Sequence, residues 1–186
     1  MYEQFKLRAE GVGAEVHRFR TRGEALGFIL TFLQQEGTAD APQSCAVWAD
    51  GPFLTGIDTA QLSGKVPGLR FNVSRQTAAD SMIGISEADW ALTDTGSLVT
   101  DQTAVEQRLA ATLPVIHMAL IGTDRILPDK TAVFSRITPE TSRYIAFITG
   151  PSRTADIERV LTIGVHGPKR LVIVFFDEME GAAYEK

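Results

Sequence analysis

Three nearly continuous apolar runs constrain the fold of this 186-residue chain more than any other feature. They lie at residues 115–121, 144–149 and 171–176 and are rich in β-branched and aromatic residues. A strand with one face in water alternates apolar and polar residues, whereas a strand buried on both faces is apolar throughout. Helical patterns separate the apolar strands along the chain. The sequence therefore predicts an α/β fold, a mostly parallel sheet with helices on both faces.

Capping signals mark where helices begin. Thr21 and Glu24 form a capping box in front of an apolar helical stripe. Thr103 and Glu106 repeat the same spacing before a second helical pattern. The predicted later helices are residues 75–83, 103–112, 129–137 and 153–163. The shorter predicted strands are residues 44–48, 68–73, 89–93 and 97–100.

The first 20 residues differ in pattern from the rest. Residues 1–20 mix charged and scattered apolar residues, which indicates a loose N-terminal arm. Residues 21–186 contain no repeat, no low-complexity tract and no linker-like segment. They are therefore predicted to form a single domain, in a chain long enough to bury about 70% of its unfolded surface.

The charge and composition of the chain argue against several classes of binding partner and cofactor. The net charge of −5 argues against nucleic acid and against an anionic membrane surface as partners. No apolar run approaches the ~20 residues that span a bilayer, and the start of the chain lacks a signal-peptide core, so a cytoplasmic protein is expected. Cys45 alone cannot form an internal disulfide or a four-thiolate cluster. The three histidines show no metal-ligand spacing, so neither a metal nor a bound cofactor is expected.

The segment Gly150-Pro151-Ser152-Arg153-Thr154 is the first candidate site. It joins an apolar strand to the predicted helix 153–163, and the free backbone N–H groups at a helix start attract anions. The guanidinium of Arg153 and the hydroxyls of Ser152 and Thr154 add donors. The alternative is an ordinary helix cap, in which one hydroxyl satisfies the helix. The residues predicted to bind a carboxylate or phosphate here are Gly150, Ser152, Arg153 and Thr154.

The segment Asp94-Thr95-Gly96-Ser97 is the second candidate. Gly96 allows a ligand close to the backbone, the hydroxyls of Thr95 and Ser97 flank it, and Asp94 is a candidate base. The alternative is a tight turn between two short strands. Both segments are expected at the carboxyl ends of the strands, where parallel sheets bind ligands.

Three single residues outside these two segments, His166, Arg108 and His117, are weighed as site residues. His166 lies between two glycines in the segment 164–168 and is a candidate general base or oxyanion donor; alternatively, it caps the end of the preceding helix. Arg108, on the predicted helix 103–112, is placed to reach an anion. His117 lies inside an apolar strand and is expected to be a hydrogen-bonded core residue rather than a ligand.

Three segments together resemble one family, the lactate-utilisation proteins of the LutC/YkgG type, which contain the LUD domain. They are residues 84–98, 149–158 and 164–168, in the order and spacing of that family. Arg108 and His117 fit a weaker family pattern between the first two segments. The resemblance covers roughly the C-terminal half in detail, and the first 70 residues carry no diagnostic motif.

The resemblance implies both a fold and a role. The implied fold is that of the ribose-phosphate isomerase, glucosamine-phosphate deaminase and CoA-transferase group. The implied role is a component of a three-part system that oxidises L-lactate to pyruvate, with iron–sulfur clusters in the partner proteins. Because the chain has no cluster cysteines and no dinucleotide fingerprint, redox chemistry is expected in those partners. This chain would bind a small anionic ligand, the iron–sulfur proteins, or both.

A second function remains open at this point. The fold group also permits a stand-alone, non-redox isomerase or transferase that acts on a phosphorylated or carboxylated metabolite. His166 or Asp94 would then be the base, and the segment 150–154 would hold the anion. The chain has no recognisable nucleotide-binding glycine motif and no CoA-transferase pattern, so its fold relatives do not lend it their chemistry.

Overall fold

The computed structural model describes residues 1–138, 140, 142–155 and 161–178. Its helices are α1 (Tyr2–Gly11), α2 (Arg22–Gln35), α3 (Thr59–Lys65), α4 (Arg75–Ala79), α5 (Val105–Thr112) and α6 (Lys130–Phe134). Its strands are β1 (Glu15–Thr21), β2 (Cys45–Trp48), β3 (Leu69–Arg70), β4 (Ser81–Glu87), β5 (Trp90–Leu92), β6 (Ser97–Asp101), β7 (Ile116–Gly122), β8 (Ile126–Leu127), β9 (Ile145–Ile148), β10 (Arg153–Ala155), β11 (Leu161–Ile163) and β12 (Arg170–Glu178). Within the described residues, no helix is long and apolar enough to cross a lipid bilayer.

Six parallel strands form the main sheet, in the order β1-β12-β7-β4-β2-β3. The predicted α/β fold with a mostly parallel sheet is therefore confirmed. Residues 171–176 of β12 are all apolar because alternate side chains enter different cores and all six are almost fully buried. One set is Val172, Val174 and Phe176; the other is Leu171, Ile173 and Phe175.

Different elements cover the two faces of the main sheet. On one face, α2 and α3 pack over the central strands, with Ile29, Leu33 and Leu62 in the core. On the other face, α1 contributes Phe5, whose ring lies edge-on to Phe175 at 5.3 Å. Helices α4 and α5 and a smaller four-stranded sheet, in the order β8-β5-β6-β9, complete this second layer.

One of the two predicted capping pairs is present. The Thr21 hydroxyl accepts from the Glu24 N–H at 3.2 Å, and the Glu24 carboxylate accepts from the Thr21 N–H at 3.4 Å. Helix α2 begins at the next residue, Arg22. The pair Thr103 and Glu106 does not cap α5, because the N-cap residue is Ala104 and makes no side-chain cap bond.

The prediction of a loose N-terminal arm is wrong. Residues 2–11 form α1, and β1 pairs in parallel with β12 at one edge of the main sheet. The pattern was weak because α1 buries only Phe5 and Ala9, and because an edge strand keeps several side chains in solvent.

The predicted helix 75–83 is also wrong in its second half. Helix α4 ends at Ala79, and the central strand β4 begins at Ser81. Gly84 and Ser86 interrupt the apolar pattern of β4. Gly84 is required there, because a Cβ atom would overlap the Ala110 carbonyl oxygen of α5.

The predicted helix 153–163 is contradicted as well. Strands β10 and β11 pair antiparallel, while residues 156–160 lie outside the described residues. The Gly164 N–H donates to the Ser152 carbonyl at 2.9 Å, so the two ends of the segment lie side by side. A helix of this length would hold its ends about 16 Å apart.

The N-terminal segment packs against two glycines with left-handed backbone. A Cβ atom at Gly96, where φ is +68°, would overlap the backbone nitrogen of Ala9. A Cβ atom at Gly150, where φ is +67°, would lie 2.5 Å from the Val12 carbonyl oxygen. At both predicted ligand-binding glycines, the close neighbour is therefore the N-terminal segment itself.

We expect Gly96→Ala to lower the free energy of unfolding by about 2–4 kcal/mol, because backbone strain adds to overlap with α1. The control is Gly37→Ala, where φ is +75° and no atom lies within 4 Å of the added methyl. Strain alone should cost the control about 1–2 kcal/mol. Urea denaturation measures both, and equal losses would contradict the close packing of α1.

Candidate functional site

A cleft of about 400 Å³ lies at the amino ends of β7 and β12, and is termed the amino-edge cleft. Strand β9, the C-terminal end of α5 and the loops that flank the β10–β11 hairpin form its walls. Several polar side chains, some predicted and some not, line it together. They are Gln102, His117, Tyr144, Ser152, Arg153 and His166.

The location differs from the expected one. The Ser152 N–H donates to the Pro168 carbonyl at 2.9 Å, and Pro168 lies two residues before the start of β12. The segment 150–153 therefore lies at the amino edge of the main sheet, not at the carboxyl edge. Which edge a loop reaches depends on strand direction and order, which local sequence does not reveal.

The proposed source of anion affinity also changes. Because residues 153–155 form β10, no helix begins in the described part of this segment, and the Ser152 N–H is already bonded. The side-chain donors are the Ser152 hydroxyl and the exposed Arg153 guanidinium, whose Nη2 donates to the Val12 carbonyl. The Thr154 backbone lies in β10, and its side chain is outside the described part of the chain.

His117 forms part of the buried wall of the cleft. It is 1% exposed, and its Nε2 lies 2.8 Å from the Ser86 hydroxyl on the neighbouring strand β4. Burial lowers the pKa of His117 from 6.5 to about 4, so the imidazole is neutral at pH 7. His117 is thus a hydrogen-bonded core residue, as expected, but it also borders the cleft.

His166 and Arg108 occupy different positions around the cleft. The exposed His166 lines it directly, next to Gly167 and Pro168. Arg108 does not line it; the guanidinium carbon lies 4.7 Å from the centre of the Tyr144 ring, in a cation–π contact. The positive charge of Arg108 therefore lies behind Tyr144, which is 49% exposed at the outer rim of the cleft.

The segment 94–97 meets Thr149 through a chain of hydroxyl groups. Ser97 donates to the Thr95 hydroxyl at 2.8 Å, and Thr95 donates to the Asp94 carboxylate at 3.2 Å. Ser97 has one hydroxyl proton, so the 2.7 Å contact between Ser97 and Thr149 has Thr149 as donor. Each of the three hydroxyl groups thus donates its hydrogen bond to a neighbouring side chain rather than to a ligand.

This hydroxyl chain borders a separate groove. Asp94, Thr95 and Thr149 line a depression beneath α1, together with Arg8, and of these residues only Thr149 also lines the amino-edge cleft. The two candidate bases, Asp94 and His166, therefore lie in different depressions. The structure brings the two predicted loops together without forming one site from all their side chains.

A second cleft, of about 290 Å³, lies at the carboxyl ends of β2 and β4. This is where the strand order reverses direction, the usual ligand position in open parallel sheets. Sequence reasoning missed it because the predicted helix 75–83 included the start of β4 and no strand was predicted over the rest of β4. Its lining includes Asp50, Glu87, Asp89, Asp101, Gln107 and Arg125.

Several polar side chains of this carboxyl-edge cleft are hydrogen-bonded to the backbone. The Glu87 carboxylate accepts from the Phe53 N–H at 2.7 Å, and the Asp89 carboxylate accepts from the Asp101 N–H at 2.6 Å. The Gln107 amide donates to the Asp50 carbonyl at 2.8 Å. In the part of the chain that the structure describes, no cluster of His, Cys, Asp or Glu could hold a metal ion.

We expect acid to destabilise the protein through His117. Between its folded pKa of about 4 and the ordinary value of 6.5, the unfolded state binds more protons, so stability falls as pH falls through this window. The loss from pH 7 to pH 4.5 should be about 2 kcal/mol. Urea denaturation at both pH values measures it. His117→Gln should remove this part of the loss, and an unchanged pH dependence in the variant would contradict it.

Sequence comparison relates this chain to lactate utilization proteins and to an uncharacterized protein. A lactate utilization protein C from Exiguobacterium is 33% identical over 112 residues, which are 57% of this chain and 49% of the relative. Another, from Anoxybacillus flavithermus, is 36% identical over 104 residues, covering 55% and 47% of the two chains. The uncharacterized protein YkgG of Escherichia coli is 28% identical over 113 residues, covering 58% and 48%. The matched region thus spans about half the length of these relatives.

A solved structure and a family match cover more of the chain. The crystal structure of a DUF162 family protein from Deinococcus radiodurans matches with a TM-score of 0.63, over 94% of this chain and 95% of that one. Their identity is 22%, so this likeness shows the fold alone. The LUD domain family matches residues 2–176. With nearly the whole length matched, the chain belongs to the LUD domain family.

Proposed function

We propose that this chain acts in lactate utilisation, as a component that binds a small carboxylate in the amino-edge cleft while partner proteins carry the electron transfer. The observation that carries the proposal is its family membership, together with relatives named lactate utilization protein C. The matched region spans about half of those relatives, so the role of the whole relative is carried over here as a proposal.

The chemistry of the cleft supports a carboxylate at one particular rim. Arg153 supplies a positive charge, and Ser152 and His166 supply further hydrogen-bonding groups. The opposite wall is the C-terminal end of α5, at Ala111 and Thr112, which carries partial negative charge. A carboxylate is therefore favoured at the Arg153 rim and disfavoured next to α5.

The single cysteine supports the assignment of iron–sulfur chemistry to partners. Cys45 is fully buried, and its thiol donates to the Asp80 carbonyl at 3.1 Å. It has no surface position from which to join a cluster that a second protein holds. Oxidation of lactate to pyruvate removes two electrons, and acid–base side chains alone cannot accept them. We therefore assign the clusters to the partner proteins.

A growth experiment tests the proposed role. Deletion of the gene should prevent or slow growth on L-lactate but leave growth on pyruvate normal, because the missing step precedes pyruvate. The tagged chain, purified from lactate-grown cells of the complemented strain, should bring down protein-bound iron and acid-labile sulfide. Normal growth of the deletion strain on L-lactate would contradict the role, and a preparation free of iron would contradict the partnership.

Arg153→Gln tests the carboxylate site. We expect it to weaken L-lactate binding about 10- to 100-fold, because a charge-assisted hydrogen bond contributes about 1.5–3 kcal/mol. Arg18→Gln is the matched control: it removes the same charge, but Arg18 pairs with Asp177, and neither residue lines the cleft. Isothermal titration calorimetry measures both variants. Equal affinity in wild type and Arg153→Gln would remove Arg153 from the site.

A further inference from the structure

Two almost fully buried polar side chains of the amino-edge cleft have hydrogen-bonding capacity that the described residues leave unused. Gln102 is 3% exposed; its backbone N–H donates to the Tyr144 carbonyl at 2.8 Å, but its side-chain amide makes no hydrogen bond within the described part of the chain. His117 uses Nε2 on Ser86 and has no partner for Nδ1 among the same residues.

Such groups indicate what a ligand must offer. Gln102 and His117 both line the same cleft, and they come from different elements. Their free polar atoms are not fully enclosed by the described residues, so these atoms meet the solvent of the cleft. A ligand atom that bonds to both would take the place of that solvent.

The chemistry of this pair favours a neutral hydroxyl group. An amide offers both a donor and an acceptor, and Nδ1 of His117 is a donor or an acceptor according to which way the Ser86 hydroxyl points. A hydroxyl donates and accepts, so it fits either arrangement. A carboxylate only accepts, and neither an amide nor a neutral imidazole supplies the positive charge that a buried carboxylate requires.

We propose that Gln102 and His117 bind the hydroxyl group of a hydroxy acid whose carboxylate lies at the Arg153 rim. This inference rests on the proposed function and adds specificity to it. The rim recognises the acid, whereas the buried pair distinguishes a hydroxy acid from an acid of the same size without the hydroxyl. Gln102 and His117 are thus specificity-determining residues of the cleft.

Calorimetric titration of the full chain with L-lactate and with propionate tests the inference. Propionate is lactate without its hydroxyl and leaves the buried pair unsatisfied, so L-lactate should bind at least about tenfold more tightly. Equal affinities would overturn the role of Gln102 and His117 but leave carboxylate binding at Arg153 intact. No binding of either acid would overturn both this inference and the proposed carboxylate site.

Gln102→Leu separates recognition from structural support. It should lower the affinity for L-lactate towards that for propionate, because one of the two hydroxyl partners is lost, and leave the affinity for propionate unchanged. The control is Gln61→Leu, the same change at an exposed position of α3, which should leave both affinities unchanged. Equal weakening of both acids by Gln102→Leu would indicate a structural role and overturn the inference.

A second measurement does not depend on how the variant folds. In the wild-type chain, the ¹⁵N resonances of the His117 ring should move when L-lactate is added, because Nδ1 gains a partner. Propionate should leave these resonances in place. Equal shifts with both acids, or no shift with L-lactate, would overturn the inference.

Discussion

The parallel pairing of β12 with both β7 and β1 holds together the parts of the chain that form the candidate site. His117 lies opposite Leu171 across the β7–β12 pair, and Glu15 lies opposite Val172 across the β1–β12 pair. Pro168, just before β12, accepts a hydrogen bond from Ser152. Residues from three distant parts of the sequence thus meet at the amino end of one strand. Because residues 171–176 of β12 are apolar on both faces, this strand must lie inside the sheet with both faces covered.

The two ends of the main sheet differ in how their polar groups are bonded. At the carboxyl edge, Glu87 and Asp89 accept backbone N–H groups and Gln107 donates to a backbone carbonyl. Those side chains hold the loops that follow β2 and β4. At the amino edge, Gln102 and His117 keep unused capacity within the described residues. The usual rule for parallel sheets favours the carboxyl edge, but the hydrogen bonds favour the amino edge.

Local patterns predicted the elements whose own residues carry a clear pattern. The apolar runs of β7 and β12 and the Thr21 capping box belong to this class, and each is present. Elements whose burial depends on distant partners were missed. Helix α1 and strand β1 carry little periodicity, because α1 buries few residues and β1 lies at a sheet edge. Residues 153–163 were predicted as a helix, and β10 and β11 were missed because they are held together by bonds that no local pattern encodes.

The candidate site likewise contains some residues that their motifs predicted and others that no motif predicted. The residues Ser152, Arg153 and His166 were predicted from their motifs, and they line one cleft. The ligand capacity of Gln102 and His117 was not predicted, because a polar residue next to a strand and a histidine within one are usually satisfied core residues. The structure also separates Asp94 and Thr95 from the cleft, although Ser97 reaches Thr149 at 2.7 Å. Which side chains share a depression is decided by how the two sheets pack, information that lies outside any single motif.

The pairing of β1 with β12 has a consequence for how the chain folds. Residues 15–21 find their partner strand only at residues 172–178, near the other end of the sequence. During synthesis on the ribosome, β1 has no neighbouring strand in the main sheet until residues 172–178 have emerged. Closing so large a loop is entropically costly and slows folding. The amino-edge cleft, which Leu171 at the start of β12 lines, likewise cannot take shape before this strand has emerged.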